Sequence, residues 1–200
     1  MAVKTFKRNG IFSSKSNHKH RCFLDYSELS PLIEKCRKDN LRIVLTQGTF
    51  DMVHIGHARY FEAAKKHGDF LIVGVDSDEK VSARKGPDRP VVPEEERMEM
   101  LSHIREVDVV VLKAIHHPKW TLIRLIRPDV LIATKETYNQ EQIKKLKEFC
   151  GKIVVLEPMA TTSTSAKIRK LQLGLATKLE QSLTPRLVRT IEEIFEEFKK

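Results

Sequence analysis

Hydrophobic residues along this chain follow two rhythms. Five short, nearly unbroken apolar runs read as buried strands: Arg42 to Thr46, Phe70 to Val75, Val107 to Leu112, Val130 to Ala133 and Ile153 to Leu156. Between them the apolar positions recur every three or four residues, which predicts helices over Tyr26 to Asn40, Ile55 to His67, Glu94 to Ile104, Trp120 to Ile126 and Asn139 to Cys150. The ends carry their own signals. Ser27 or Ser30 caps the first helix, Glu95 and Glu96 sit where a helix dipole favours acids, and Gly151 stops the last. Val81 to Pro93, with Gly86, Pro87, Pro90 and Pro93, predicts a loop. Farther on, Thr164 to Leu173 predicts a helix and Gly174 to Ser182 a connector. A second helix is expected to start at Thr184-Pro185, with Leu187, Ile191, Ile194 and Phe198 on one face. Strands alternating with helices imply an α/β fold, a parallel sheet covered on both faces. Ligands of such sheets bind outside the carboxyl ends of the strands, so the turns after Thr46, Val75, Leu112, Ala133 and Leu156 are the places to look.

Composition narrows this picture in three ways. The 200 residues are 40% hydrophobic and 32% charged, enough for one core, and no apolar run approaches a membrane span. The polar start has no apolar segment of the secretory kind, and three cysteines without a CxxC pair read as reduced thiols, so a cytoplasmic protein is expected. The net charge is +9, yet Met1 to Arg21 alone holds Lys4, Lys7, Arg8, Lys15, Lys19 and Arg21 with no acid. The expected organisation is a basic disordered arm over residues 1–21, a catalytic domain over 22–173 and a helical extension over 174–200. An arm of this composition also suits nucleic acid or an organelle transit signal, but nucleic acid is not the expected partner.

The chemistry concentrates in the turn after the first strand, Gly48-Thr49-Phe50-Asp51-Met52-Val53-His54-Ile55-Gly56-His57. Gly48 lets the backbone leave the strand tightly and approach a ligand. His54 and His57, three apart, share a face at the start of a helix, with Gly56 leaving space between them. That helix end offers free N–H groups and partial positive charge, an anion site to which two imidazoles add donors. The alternatives are a plain helix cap with one surface histidine, and a two-histidine metal site with Asp51 as third ligand. A second signal follows the second strand: Asp76-Ser77-Asp78, then the basic loop Arg84-Lys85-Gly86-Pro87-Asp88-Arg89-Pro90, with Arg97 beyond it. Lys85 reaches a polyphosphate from this loop, and Arg97 either faces the cleft or pairs with Glu94 or Glu96. A third is Thr161 to Arg169, where hydroxyls open a helix.

Gly-Thr-Phe-Asp-x-x-His-x-Gly-His resembles the signature of the nucleotidyltransferases of the cytidylyltransferase type. Within that superfamily, Lys85-Gly86, Arg89-Pro90-Val91, Pro93 and Arg97 are similar to the adenylyltransferase that makes ADP-heptose. The resemblance covers about Ser27 to Leu173. It implies a Rossmann-like fold with helices on both faces. It also implies transfer of a nucleoside monophosphate, AMP from ATP in the favoured case, to a phosphorylated acceptor such as a sugar 1-phosphate, with release of pyrophosphate. His54, His57 and Lys85 would be catalytic. Gly48, Thr49, Phe50, Gly56, Thr164, Ser165 and Arg169 would complete the nucleotide site, the last three near the leaving phosphates. Asp51, Arg89 and Arg97 would hold acceptor or phosphate, Mg²⁺ would shield the triphosphate with Asp78 as a candidate ligand, and a homodimer is implied. Thr49 is the choice of the cytidylyltransferases, and Ala133-Thr134-Lys135-Glu136-Thr137-Tyr138 lacks the Lys-Gly-Gly-Asp-Tyr of the heptose enzymes. The rival readings are a cytidylyltransferase for glycerol 3-phosphate or another alcohol phosphate, an adenylyltransferase for a flavin or pantetheine phosphate, and a nucleotide-binding module without turnover.

Overall fold

The computed structural model describes residues 17–135, 137–157, 159 and 164–198. They fall into two compact units, one ending at Thr161 and the other starting at Thr162.

The first unit is a six-stranded parallel sheet in the order β1-β4-β3-β2-β5-β6. The strands are β1 (Cys22–Phe23), β2 (Ile43–Gly48), β3 (Phe70–Asp76), β4 (Val109–Lys113), β5 (Val130–Ala133) and β6 (Lys152–Val155). Its helices are α1 (His18–Arg21), α2 (Ser30–Lys38), α3 (Ile55–Lys65), α4 (Asp78–Lys85), α5 (Glu94–Ser102), α6 (Thr121–Ile126) and α7 (Gln140–Leu146). This is a Rossmann-like sheet, and alternation along each strand feeds two cores. Ile43, Leu45, Ile72, Val109 and Leu131 face Leu32 and Cys36 of α2 and Leu122, Ile123 and Ile126 of α6. Val44, Leu71, Val73, Val110 and Ile132 face Phe61 and Ala64 of α3 and Met98 and Leu101 of α5. Because both faces are buried, the strands read as continuous apolar runs. The chain builds outward from β2 through β3 to β4, then crosses back to β5 on the other side. The order therefore reverses between β2 and β5, and open α/β sheets bind their ligands in the crevice outside the carboxyl ends of strands at such a reversal.

Three expectations need correction. The segment 17–21 of the basic arm is ordered: α1 forms, and the Arg21 guanidinium donates to the backbone carbonyls of Val107 and Asp108. Just beyond it, β1 pairs with β4 as a sixth strand too short to show a pattern. Residues 1–16 lie outside the described residues. Next, the expected loop over Val81 to Pro93 begins as helix α4. Ser77 caps it by accepting the Lys80 N–H, Asp78 and Glu79 fill its first turn, and Gly86, at φ 100°, ends it. Only Val81 is buried, so no apolar period betrays this helix. Lastly, the second unit is one helix, α8 (Thr164–Phe198), running through the expected connector and past Pro185. Gly174 to Ser182 is rich in helix formers such as Leu175, Ala176, Lys178, Leu179 and Glu180, which outweigh the single glycine.

Candidate active site

The carboxyl end of β2 turns sharply into α3, and that turn is held in an unusual conformation. Phe50 and Met52 both have positive φ, 51° and 52°. Such residues cost about 1–3 kcal/mol each and persist only where their surroundings hold them. Phe50 folds its ring back over Gly48, where an added Cβ would lie 2.9 Å from it. The ring then packs on Phe61 at 5.1 Å and meets His57 edge-on at 5.6 Å.

Between the two strained residues sits Asp51, buried at 3% exposure. Its carboxylate accepts two bonds from the Arg89 guanidinium, at 2.9 and 2.6 Å, and further bonds from the N–H groups of Val91 and Val92. Burial alone would raise its pKa, but the two backbone donors and Arg89 outweigh it and hold Asp51 below the ordinary 3.8. Asp51 and Arg89 thus tie the β2 turn to the loop before α5. Of the residues expected to hold acceptor or phosphate, Asp51 and Arg89 are paired with each other.

Arg97 has a similar fate. Its side chain is wholly buried, and its guanidinium donates to the carbonyls of Val92 (2.9 Å), Thr49 (2.6 Å) and Asp76 (2.9 Å) and to Asp78 Oδ1 (2.6 Å). It cross-links the ends of β2 and β3 through α5 and does not face the cleft. Asp78 accepts from Arg97 and, through Oδ2, from the Glu94 N–H, while Glu94 accepts the Asp78 N–H. Asp78, the expected candidate for a metal ligand, thus caps α5 through one oxygen and pairs with Arg97 through the other.

The histidine pair is built into the start of α3. His54 is the N-cap, and its Nδ1 accepts the Gly56 N–H at 3.1 Å. His57 Nδ1 accepts the His54 N–H at 3.3 Å. The rings lie 4.1 Å apart and are half-buried. Each Nδ1 is an acceptor, so each neutral ring carries its proton on Nε2. The plain-cap and phosphate-donor readings are therefore compatible: one nitrogen of each ring caps the helix and the other is a donor.

A cationic cluster lies at the end of β3. Buried Asp76 accepts from Lys113 Nζ at 2.8 Å and from Arg84 at 3.0 Å, with Lys80 Nζ at 3.9 Å. Burial would raise the Asp76 pKa, but Lys113, then Arg84 and Lys80, hold it low. Arg84 also donates to the Thr49 hydroxyl at 2.7 Å, so Thr49 is joined to this cluster. Lys85 is exposed at the end of α4, where desolvation and then Arg84 and Arg89 lower its ammonium pKa. One carboxylate thus faces Lys80, Arg84 and Lys113, a surplus of positive charge suited to a polyanion. Sequence reasoning passed over Arg84 and Lys113; the available signal was Asp76, an acid at the last position of a buried strand. Across the crevice, the Gln47 amide reaches the Tyr138 hydroxyl at 3.4 Å, and Thr46 shares a 2.7 Å bond with Tyr60. Thr164 and Ser165 open α8, and Arg169 is exposed on it. These belong to the second unit, and the side chains of Thr164 and Ser165 lie outside the described residues, as do residues 160–163.

A parallel sheet whose switch point carries paired histidines at a helix start defines a nucleotide-handling α/β domain. Residues 45–177 match the cytidylyltransferase-like family, and the chain belongs to it. It is a nucleotidyltransferase domain. It is 40% identical over 153 residues, 75% of its length, to the bifunctional protein HldE of Methylobacillus flagellatus. It is 38% identical over 72% of its length to HldE of Helicobacter pylori. The chain spans about 30% of the length of these curated relatives. Among solved structures, it is similar to a lipopolysaccharide core biosynthesis protein from Thermoplasma volcanium, with TM-score 0.53 and 26% identity over 60% of this chain and 99% of that one. The pantoate-beta-alanine ligase of Francisella tularensis shares the fold, with TM-score 0.56 and 17% identity over 82% of this chain and 79% of that one.

Proposed function

We propose that this chain is an adenylyltransferase that moves AMP from ATP to a phosphorylated acceptor, a sugar 1-phosphate in the favoured case, and releases pyrophosphate. The observation that carries this is the histidine pair: two rings 4.1 Å apart, each pinned through Nδ1 so that Nε2–H is its donor. The similarity to HldE proteins, together with the resemblance of Lys85-Gly86, Arg89-Pro90-Val91, Pro93 and Arg97 to the adenylyltransferase that makes ADP-heptose, supports ATP as the triphosphate.

An acceptor phosphate oxygen attacks the α-phosphorus in line. The new P–O bond forms as the bond to the bridging α,β oxygen breaks, and that oxygen leaves with the electron pair as pyrophosphate. The attacking oxygen is already ionised, so no general base is needed. Nε2–H of His54 and His57 stabilises negative charge as it builds on the α-phosphoryl oxygens and the bridge. Lys85 adds a mobile positive charge for the triphosphate. Lys80, Arg84 and Lys113 set the local potential while remaining tied to Asp76.

Mg²⁺, when bound, shields the triphosphate. The buried carboxylates near the histidines are engaged by arginine, lysine or backbone donors, so the donor set fits a metal carried mainly by phosphate and water oxygens. The proposed setting is cytoplasmic. It is supported by three free cysteines and by the fact that no helix among the described residues is long and apolar enough to cross a membrane. A homodimer is supported by the exposed Leu175, Leu179, Leu187 and Ile191 of α8.

The test is pyrophosphate release with Mg²⁺ and each of the four nucleoside triphosphates, against sugar 1-phosphates and glycerol 3-phosphate. Release with ATP and a sugar 1-phosphate is expected. Turnover with CTP and glycerol 3-phosphate alone would overturn the base and acceptor assignment. Triphosphate binding without turnover on any acceptor would point to a binding module.

A further inference from the structure

Away from the phosphate site, Glu99 of α5 and His103, which caps the carboxyl end of α5, lie one turn apart next to α1, whose first residue is His18. His18 Nδ1 lies 3.6 Å from Glu99 Oε1, and His103 Nε2 lies 3.8 Å from the same oxygen. The three donor atoms are all within 4.8 Å of one another. Zinc bound tetrahedrally at about 2.0–2.1 Å has its ligand atoms roughly 3.3 Å apart. The three side chains therefore need only contract by a fraction of an ångström to about one and a half ångström, within the reach of rotamers at a surface.

We propose that His18, Glu99 and His103 form a binding site for a zinc-type divalent metal, clipping α1 to α5. The donor chemistry selects the ion: two imidazoles and one carboxylate suit zinc, whereas Mg²⁺ and Ca²⁺ take shells of oxygen. Two neutral imidazoles and a carboxylate carry one negative charge, which a divalent cation reverses. Three protein ligands leave the fourth position to water. The backbone of His18 is fixed within three residues, because Arg21 is bonded to the carbonyls of Val107 and Asp108 and β1 pairs with β4. The ligands are also reachable from solvent, the side chains of His18, Glu99 and His103 being 31%, 52% and 63% exposed. The clip would strengthen the hold of α1 on α5, the helix that also supplies Arg97.

The site does not depend on the nucleotidyltransferase reading, and its test is binding. The metal-free full chain is titrated with Co²⁺, following the visible ligand-field absorption of four-coordinate cobalt, and the bound ion is then displaced with Zn²⁺. One saturating equivalent is expected. Loss of a residue that merely supports a metal ligand already costs about 10–100-fold in affinity, so His18→Ala and His103→Ala should each weaken Zn²⁺ by more than about a hundredfold. Glu99→Gln, an isosteric surface change, should weaken it in the same direction, and the double variant His54→Ala/His57→Ala should bind as the parent does. The proposal is overturned if no stoichiometric saturation occurs, if the His18 and His103 variants keep the parent affinity, or if it is the His54/His57 variant that loses the ion.

Discussion

The two sides of the crevice are built very differently. On the β2/β3 side, buried Asp51, Asp76 and Arg97 cross-link the strand ends, the loop before α5 and helix α4. On the β5/β6 side, the turn after Ala133 is held by a bond between the Thr134 and Thr137 hydroxyls and by the long Gln47–Tyr138 contact. Strand β6 itself is at best half-buried. The first side matches what every transfer from a triphosphate needs, fixed donors and fixed positive charge where negative charge develops. The second departs most from the heptose pattern, and in the proposed reading it is the side that would fit an acceptor. Rigidity has been placed where the chemistry is shared and spared where substrates differ.

The contrast breaks most visibly at Arg97. Arg97→Met keeps the volume but leaves the carbonyls of Thr49, Val92 and Asp76 without their buried donor and removes the partner of Asp78. A loss of about 3–5 kcal/mol is expected in denaturant unfolding, and a loss below 1 kcal/mol would show that the cross-link is ornamental. His57→Ala should spare the fold and lower single-turnover pyrophosphate release by about 10²–10³, near 3 kcal/mol of transition-state stabilisation. Parent-like turnover would remove His57 from the site.

Acid should act on the rigid side. Asp51 and Asp76 both have folded pKa values below 3.8, so each contributes stability that is present above that pH and lost as pH falls through the folded value. Thermal unfolding followed from pH 6 downward should show a steep loss below about pH 4. Asp51→Asn should start lower, by about 1–3 kcal/mol at neutral pH, and show a shallower acid limb. On the open side, Tyr138→Phe removes only a weak contact and should change stability by less than about 1 kcal/mol. An effect on the acceptor KM with kcat retained would mark Tyr138 as part of the acceptor pocket.

The strands at the centre of the sheet were plain in the sequence, because a strand buried on both faces has no choice but an apolar run. Helices α3 and α5 were equally plain, each burying one stripe. Strand β1 was not, since two residues carry no period, and α4 escaped because it buries only Val81. Within the site, the histidines were evident from their spacing, and their separation on one helix start follows from it. The partners of the charged residues were not. Arg97 looked as if it would face the cleft or pair with Glu94 or Glu96, and instead it lies wholly inside the protein.

Local chemistry along the chain was enough to specify five of the six strands, the turn after the central one and the two imidazoles, because each depends on residues within a helical turn or a strand of one another. Which cation meets which carboxylate was settled only by folding. Asp51 reaches Arg89 and Asp76 reaches Lys113 across gaps of 38 and 37 residues. In pairings that distant, burial and Coulomb attraction choose among several nearby partners, and no periodicity in the sequence records the choice.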